Sequence, residues 1–404
     1  MPGPLEGIKV LEVVRVGPAA FPGMWLADMG AEVVKVETPS QAAVKGAGFR
    51  TLSEKEAREA AFINYNRNKR SIAVNLRTEE GQEILHRLAK WADVLVEGFR
   101  PGVMKRLGGD YETLREINPM LIYCSLSGYG QDGPYKDFPG HDINYISLGG
   151  ALDLIGEADK EPVVPLNFIA DYAGAGLHGV IGILLALMAR QRIGEGQYVD
   201  LAYLDSVISL TANICAARFF SHGFVPQRGA SPLSGGYPFY SVYQTKDGKC
   251  LSIGCMEPWL WENLCRALGR EDFIPYHFES PHWEQAPDDK YKEVKEQLKQ
   301  VFLTKTRDEW FDFLAKHDVC VGKVYSWDEV FTDPQVLHRQ MLVEVEHPTL
   351  GKIKHVGIPI KLSKTPGSVR RVGPYLGEHT DELLRELGYM AEAISELRQK
   401  GVIG

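Results

Sequence analysis

The chain has 404 residues, 44% of them hydrophobic and 24% charged, which excludes a small module, a peptide and disorder over most of the length. Lysine plus arginine number 45 against 53 aspartate plus glutamate, a formal net charge of −8. That is the wrong sign for coating nucleic acid, whose phosphates demand a basic face.

In chain order, residues 7–14 form an apolar run that predicts a buried strand ending at a turn with Gly17 and Pro18. A helix is expected through Met24, Leu26 and Met29, stopped by Gly30, then a second strand over 31–37 and a third over 71–76. Residues 79–92 carry Ile84, Leu85, Leu88 and Trp91 at helical spacing, and 93–99 and 121–126 read as the fourth and fifth strands. Strands separated by helices predict βαβ units, hence an α/β, Rossmann-like domain around a parallel sheet. A long glycine-bearing helix is expected over 171–192, a strand over 198–202 and an apolar helix over 206–220. Residues 223–236 are rich in Gly, Pro and Ser, and beyond them 237–243 and 250–253 flank Lys246-Asp247-Gly248, a hairpin signal. Helical segments over 259–268, 291–303 and 307–316 predict a smaller α+β domain ending near 330, and a last helix covers 380–387.

The cysteines, Cys124, Cys215, Cys250, Cys255, Cys265 and Cys320, form no C-x-x-C pair. They read as reduced, mostly buried thiols of a cytoplasmic protein, without a disulfide framework or zinc spacing. No basic segment followed by an apolar core opens the sequence, and Lys400-Gly401-Val402-Ile403-Gly404 is not a peroxisomal address. The longest apolar stretch, 173–189, is interrupted by His178 and by Gly174, Gly176, Gly179 and Gly182. A buried helix is expected there rather than a membrane span.

The usual catalytic motifs are missing. The first strand-to-helix turn, Arg15-Val16-Gly17-Pro18-Ala19-Ala20, is not G-x-G-x-x-G, and no Walker A, G-x-S-x-G or H-E-x-x-H run occurs. Two other segments hold candidate chemistry. One is Gly140-His141-Asp142-Ile143-Asn144-Tyr145; the other is Pro165 through Gly176, with Asn167 and Asp171 at a predicted helix start. A helix start offers free N–H groups and partial positive charge to an oxyanion. Gly174 and Gly176 would let a substrate approach the backbone. Taken alone, Asp171 reads as an N-cap worth about 1 kcal/mol, and His141 as a satisfied structural histidine.

Together the two segments resemble the class III, formyl-CoA-type CoA-transferase superfamily, and most of all its α-methylacyl-CoA racemase branch. The likeness covers nearly the whole chain. It includes Pro4-Leu5-Glu6-Gly7, Leu26-Ala27-Asp28-Met29-Gly30-Ala31, Asn68-Lys69-Arg70-Ser71 and Glu97-Gly98-Phe99-Arg100-Pro101-Gly102-Val103. It continues through Ser127-Gly128-Tyr129-Gly130-Gln131, Gly194-Glu195-Gly196-Gln197, Met256-Glu257-Pro258 and Gly377-Glu378-His379-Thr380. The resemblance implies a discontinuous large CoA-binding domain, 1–224 and 335–404, and a small α+β domain, 225–334. It further implies an interlocked homodimer with the site between the large domain of one chain and the small domain of the other.

The same resemblance assigns roles. In transferases of the superfamily the carboxylate matching Asp171 attacks an acyl-CoA and passes through an aspartyl-CoA thioester. In racemases that carboxylate is half of an acid/base pair. His141 matches the other half, Glu257 the glutamate that pairs with the histidine, and Asn167 an active-site asparagine. Inverting a carbon next to a thioester needs an acid and a base on opposite faces and a donor for the enolate oxygen, here expected from the N–H at the start of the Asp171 helix. Coenzyme A, as part of the substrate rather than a resident cofactor, would meet Arg100, Lys69 and Arg70 at its phosphates. Val16, Gly17, Gly98 and Phe99 would line its path, with Asp142 and Tyr145 also at the cofactor. Neither a metal nor a membrane partner is expected.

Two departures bear on the branch. A position often held by arginine after the second strand is Thr38, and the racemase signature resembling L-D-G-G-A-P-Y-Y is Leu233-Ser234-Gly235-Gly236-Tyr237-Pro238-Phe239-Tyr240. Transferases, conversely, often lack a histidine at His141. A 2-methylacyl-CoA racemase or epimerase is therefore the leading expectation, a CoA-transferase the alternative, and a CoA-binding regulatory module the non-catalytic reading that intact Asp171, His141 and Glu257 oppose.

Overall fold

Six parallel strands form the largest sheet among the described residues, in the order β3-β2-β1-β4-β5-β6. They are β1 (Lys9–Val13), β2 (Glu32–Glu37), β3 (Lys69–Ala73), β4 (Val94–Glu97), β5 (Ile122–Ser127) and β6 (Tyr198–Ala202). The structure is a computed structural model that describes residues 2–14, 17–39, 65–277, 288–347 and 351–404. Val10, Leu11, Val33, Val34, Leu95 and Ile122 are fully buried, so these strands are covered on both faces, as parallel sheets require. The strand order reverses between β1 and β4, and ligands of such sheets bind outside the carboxyl ends at that reversal.

Local sequence explains the covering helices. Glu79–Trp91 is capped by Thr78, whose hydroxyl accepts the Gly81 N–H at 3.1 Å, a contact worth about 1 kcal/mol. It turns Ile84, Leu85, Leu88 and Ala89 onto the sheet. Edge strand β3 is covered rather than left to pair with another chain. Thr380 Oγ1 accepts the Ala73 N–H at 3.1 Å, the His379 N–H reaches Ser71 O at 2.9 Å, and Gly377 donates to Ser71 Oγ at 2.8 Å. The Gly377–Thr380 motif is thus the seal of the sheet edge.

The chain divides into two units. The first comprises 1–145, 166–207 and 334–404, and the second 146–165 and 208–333. The return to the first unit falls at 334. The chain departs twice, at 145 and at 207, where a single departure at 224 was expected, because residues 146–165 and the helical run over 208–222 belong with the second unit. In the second unit β7 (Tyr240–Gln244), β8 (Cys250–Gly254) and β9 (Val321–Val324) form an antiparallel sheet in that order. Gly248, at φ +75°, makes the β7–β8 turn. Phe239, Tyr243, Trp261 and Phe302 fill the core beneath the helices Pro258–Leu268 and Asp289–Phe302.

Several elements escaped the sequence reading, among them the helices Tyr111–Ile117 and Asp142–Leu148, strand β9, the hairpin of β10 (Leu342–His347) and β11 (Gly351–Val356), and the final helix Ala391–Gln399. The third strand begins at Lys69, two residues earlier than expected.

Candidate active site

Asp171 is carried on an unusual piece of backbone. Phe168–Gly176 is a π-helix that runs directly into the α-helix Leu177–Ile193. Such widened turns are rare and concentrate at functional sites. Just ahead of it Leu166 has φ +61°, a conformation that costs a branched side chain about 1–2 kcal/mol. Asp171 is not the helix cap. It lies inside the first turn, and its Oδ2 accepts from Asn167 Nδ2 at 3.0 Å. Burial raises its carboxyl above the ordinary value and the negative charge of Asp142 adds to the rise, whereas the Asn167 hydrogen bond and the charge of His141 pull it down.

His141 is exposed and directly precedes the helix Asp142–Leu148. Its backbone N–H donates to Asn144 Oδ1 at 3.0 Å, leaving the imidazole outside that turn. Asp142 points the other way. It is 3% exposed, and its Oδ2 accepts the N–H groups of Ala170 at 2.8 Å and Asp171 at 2.9 Å. Two expectations are corrected by this contact. The N–H groups of Ala170 and Asp171 are occupied rather than awaiting a thioester oxygen, and the Asp142 side chain is buried against them rather than exposed to a ligand. Tyr145 is likewise buried; its ring fills the space beside Gly128 and Gly140, where a Cβ on either would lie within 2.7 Å of it.

Gly174 and Gly176 serve neighbouring elements rather than substrate. Both are buried, and a Cβ on Gly176 would lie 2.8 Å from Phe21. Phe21 packs edge-on to Tyr172, with ring centroids 5.3 Å apart. The Tyr172 and Tyr65 hydroxyls are hydrogen-bonded, and Tyr65 feels the charge of Asp171. These tyrosines were missed from sequence. Adjacency to Asp171 could have drawn attention to Tyr172, but nothing local marks Tyr65.

The crevice at the sheet's reversal holds other expected residues. Gly17, at φ +76°, opens the short helix Gly17–Ala20 beyond β1. Gly98, after β4, touches it: a Cβ there would lie 2.4 Å from the Ala19 Cβ. Phe99 is half-buried, while Arg100 is exposed and without an ion pair among the described residues. Val16 lies outside the described residues.

Lys69 and Arg70 are corrected. Lys69 is fully buried, with Nζ 2.6 Å from Glu12 Oε2 and 3.0 Å from Ala20 O. Arg70 lies in the ladder of β3 and pairs with Glu32, Glu382 and Glu386. The flanking residues of the motif do the same work. Asn68 binds Asp28 at 2.8 Å and receives the Arg370 N–H at 2.7 Å, and Ser71 donates to Glu37 at 2.5 Å. The whole Asn68–Ser71 motif is a brace, and a charged residue in a sequence motif looks the same whether its partner is a phosphate or a buried carboxylate. Glu257 belongs to the second unit, exposed at the N-cap of Pro258–Leu268 without capping it.

Glu97 closes β4 and was not singled out. Its Oε2 accepts the Phe99 N–H at 2.7 Å, clamping the turn that presents Gly98 and Arg100, and Ser125 Oγ donates to its other oxygen. Burial pushes its carboxyl from 4.5 up to about 7. A proton held more tightly in the folded chain leaves stability intact below pH 4.5 and removes it as pH rises to about 7, by about 3 kcal/mol at ~1.4 kcal/mol per unit. Glu97→Gln should therefore flatten the fall in urea midpoint between about pH 5 and pH 8. Parallel curves for the two proteins would contradict the assignment.

Residues 5–380 match the model of CoA-transferase family III. The chain is 35% identical to the alpha-methylacyl-CoA racemase of Homo sapiens over 99% of its own length and 97% of that protein's. It is 33% identical to the succinyl-CoA:glutarate CoA-transferase of Homo sapiens, covering 99% of this chain and 90% of that one. A solved CAIB/BAIF family protein from Brucella suis superposes with a TM-score of 0.80 at 32% identity, over 96% of this chain and 100% of that one. A Rossmann-type sheet, a carboxylate beside a histidine and a full-length match agree, and the chain belongs to CoA-transferase family III.

Proposed function

We propose that the protein is an acyl-CoA racemase or epimerase that inverts the carbon next to the thioester of a 2-methylacyl-CoA. The observation that carries this reading is that Asp171 and His141 lie in one unit, brought together by the hydrogen bond of the Asp171 N–H to Asp142, the residue next to His141. Burial makes the carboxylate a better base than an exposed one. In one direction it takes the α-proton, the C–H electron pair moves towards the thioester oxygen as an enolate, and the His141 imidazolium returns a proton to the opposite face. The reverse direction exchanges the roles. Arg100 and the crevice of Gly17, Gly98 and Phe99 suit the phosphates and the path of coenzyme A.

The succinyl-CoA:glutarate CoA-transferase similarity favours a second reading. There the Asp171 carboxylate attacks the thioester carbonyl and CoA leaves as thiolate, giving a mixed anhydride. The thiolate then attacks the aspartyl carbonyl, releasing the first carboxylate. An incoming carboxylate reverses the exchange: it displaces CoA from the aspartyl thioester, and the thiolate attacks the incoming acyl carbonyl, freeing the Asp171 carboxylate. Incubation in D₂O with a panel of 2-methylacyl-CoAs, beside a CoA-transfer assay, separates the two. Deuterium at the α-carbon without transfer supports racemisation; transfer without deuterium replaces it with the second reading.

We further propose a homodimer. Phe168–Ile193 is long and apolar enough to cross a membrane, and 39% of its most apolar window is buried. Gly179 and Ile183 are on the buried side, and a Cβ on Gly179 would lie 3.0 Å from Pro22 and 3.3 Å from Leu126. Leu177, Ile181, Leu184, Leu185 and Met188 form the opposite, exposed stripe, with Leu185 61% and Met188 65% exposed. Patches of that kind are covered by partners. The Arg190–Asp93 ion pair at 2.9 Å suits an aqueous interface rather than lipid. Leu185→Asp should halve the sedimentation mass while far-ultraviolet circular dichroism is retained; an unchanged mass would remove this stripe from the interface.

A further inference from the structure

Among the described residues, Asp142 is the carboxylate that acts on Asp171 and that the proposed reaction does not use. It is buried, it accepts the N–H groups of Ala170 and Asp171 through Oδ2, and its Oδ1 is buried with no hydrogen-bond partner among the described residues. A buried oxygen left without a donor is a cost that calls for a function. An asparagine oxygen could accept the same two N–H groups, so what aspartate adds at this place is charge.

We infer that Asp142 is a positioning residue for Asp171: it pins the peptide that carries the reacting carboxyl, ties it to the His141 segment and holds a second carboxylate beside it. This rests on the reading of Asp171 as the reacting carboxylate. The link is short and rigid. His141 and Asp142 are consecutive, and the Asp142 contacts reach the two residues that place the Asp171 Cα. A substrate seated against His141 therefore meets a carboxyl whose distance is set by one side chain. Burial and Asp142 raise the Asp171 carboxyl, and Asn167 and His141 lower it. Among the described residues, the other titratable groups that feel Asp171 are Tyr65, Tyr145 and Tyr203, whose phenols burial pushes further up and so keeps neutral. Tyr172, next in the chain, is tied to the Tyr65 hydroxyl. Arg100 acts on Tyr145. Asp142 is thus the negative charge in this group that can move the titration of Asp171 upward.

The test is Asp142→Asn, followed by α-deuterium exchange against pH. Removing the like charge should move the acid limb of kcat down by about half a pH unit or more and lower kcat about threefold or more, with KM nearly unchanged. Asp142→Glu, which restores the charge, should return the limb towards its original position. A folded, active Asp142→Asn protein with an unmoved limb overturns the inference. A measurement on the unsubstituted protein covers the case in which these variants do not fold. With ¹³Cγ-labelled aspartate, the Asp171 resonance, assigned by its loss in Asp171→Asn, should titrate above the ordinary carboxylate range of about 3.9. A titration at the ordinary value overturns the inference whichever reaction the enzyme performs. Absence of α-deuterium from the unsubstituted protein, by contrast, removes the racemase reading and leaves the Asp142–Asp171 coupling to the Asp171 resonance, which should titrate lower in Asp142→Asn than in the unsubstituted protein.

Discussion

Asp171→Asn is expected to lower both α-deuterium incorporation and inversion of a 2-methylacyl-CoA by about 10³-fold or more, the scale on which a positioned acid/base group acts. Asparagine keeps the size of the side chain and can still meet Asn167, which sits 3.0 Å away, so the loss reports chemistry rather than collapse. His141→Ala should abolish inversion to a similar degree, since an exposed residue outside the helix it precedes contributes little to stability. The pair is decisive because the two readings assign His141 different weight. A transferase loses its nucleophile with Asp171 but tolerates His141→Ala, while a racemase loses inversion in both. Inversion that survives Asp171→Asn would remove this carboxylate from the reaction altogether.

Lys69→Met is expected to destabilise the first unit by about 3–5 kcal/mol, the usual consequence of leaving one member of a buried ion pair alone. Lys69 and Glu12 are both fully buried, 2.6 Å apart. Burial pulls the Lys69 ammonium towards its neutral form and the Glu12 carboxylate opposes that pull. Glu12 Oε1 already lacks a hydrogen-bond partner among the described residues, so removing the ammonium strands the whole carboxylate. The double variant Glu12→Gln/Lys69→Met should recover most of the lost stability, because a neutral pair carries no desolvated charge. Urea unfolding of the single and double variants measures this. A phosphate-binding role for Lys69 makes the opposite forecast: near-normal stability and a raised KM for the acyl-CoA.

The regular elements were readable because their signals are local. β6 was expected and found at Tyr198–Ala202, and the Glu79–Trp91 helix ended one residue short of expectation, since alternation and helical spacing need no distant partner. The short helix Asp142–Leu148 was not seen because its seven residues mix polar and β-branched side chains without a helical apolar period. The N-cap reading of Asp171 failed for a related reason. A cap and a residue inside a π-turn have the same side chain, and only the backbone path, held by Asp142 from 29 residues away, separates them.

By itself the sequence determined the α/β alternation, the hairpin of the smaller unit and the residue types His141 and Asp171 that the chemistry needs. All of these follow from neighbours along the chain or from the identity of one side chain. Tertiary structure alone decided which charges are available. Lys69, Arg70 and Arg100 are equally basic on paper, yet Lys69 is sealed against Glu12, Arg70 is held by Glu382 and Glu386 more than 300 residues onward, and Arg100 is exposed. The reason is that a cation's role is set by the nearest anion in space, and the sheet that brings those anions together is assembled from both ends of the chain.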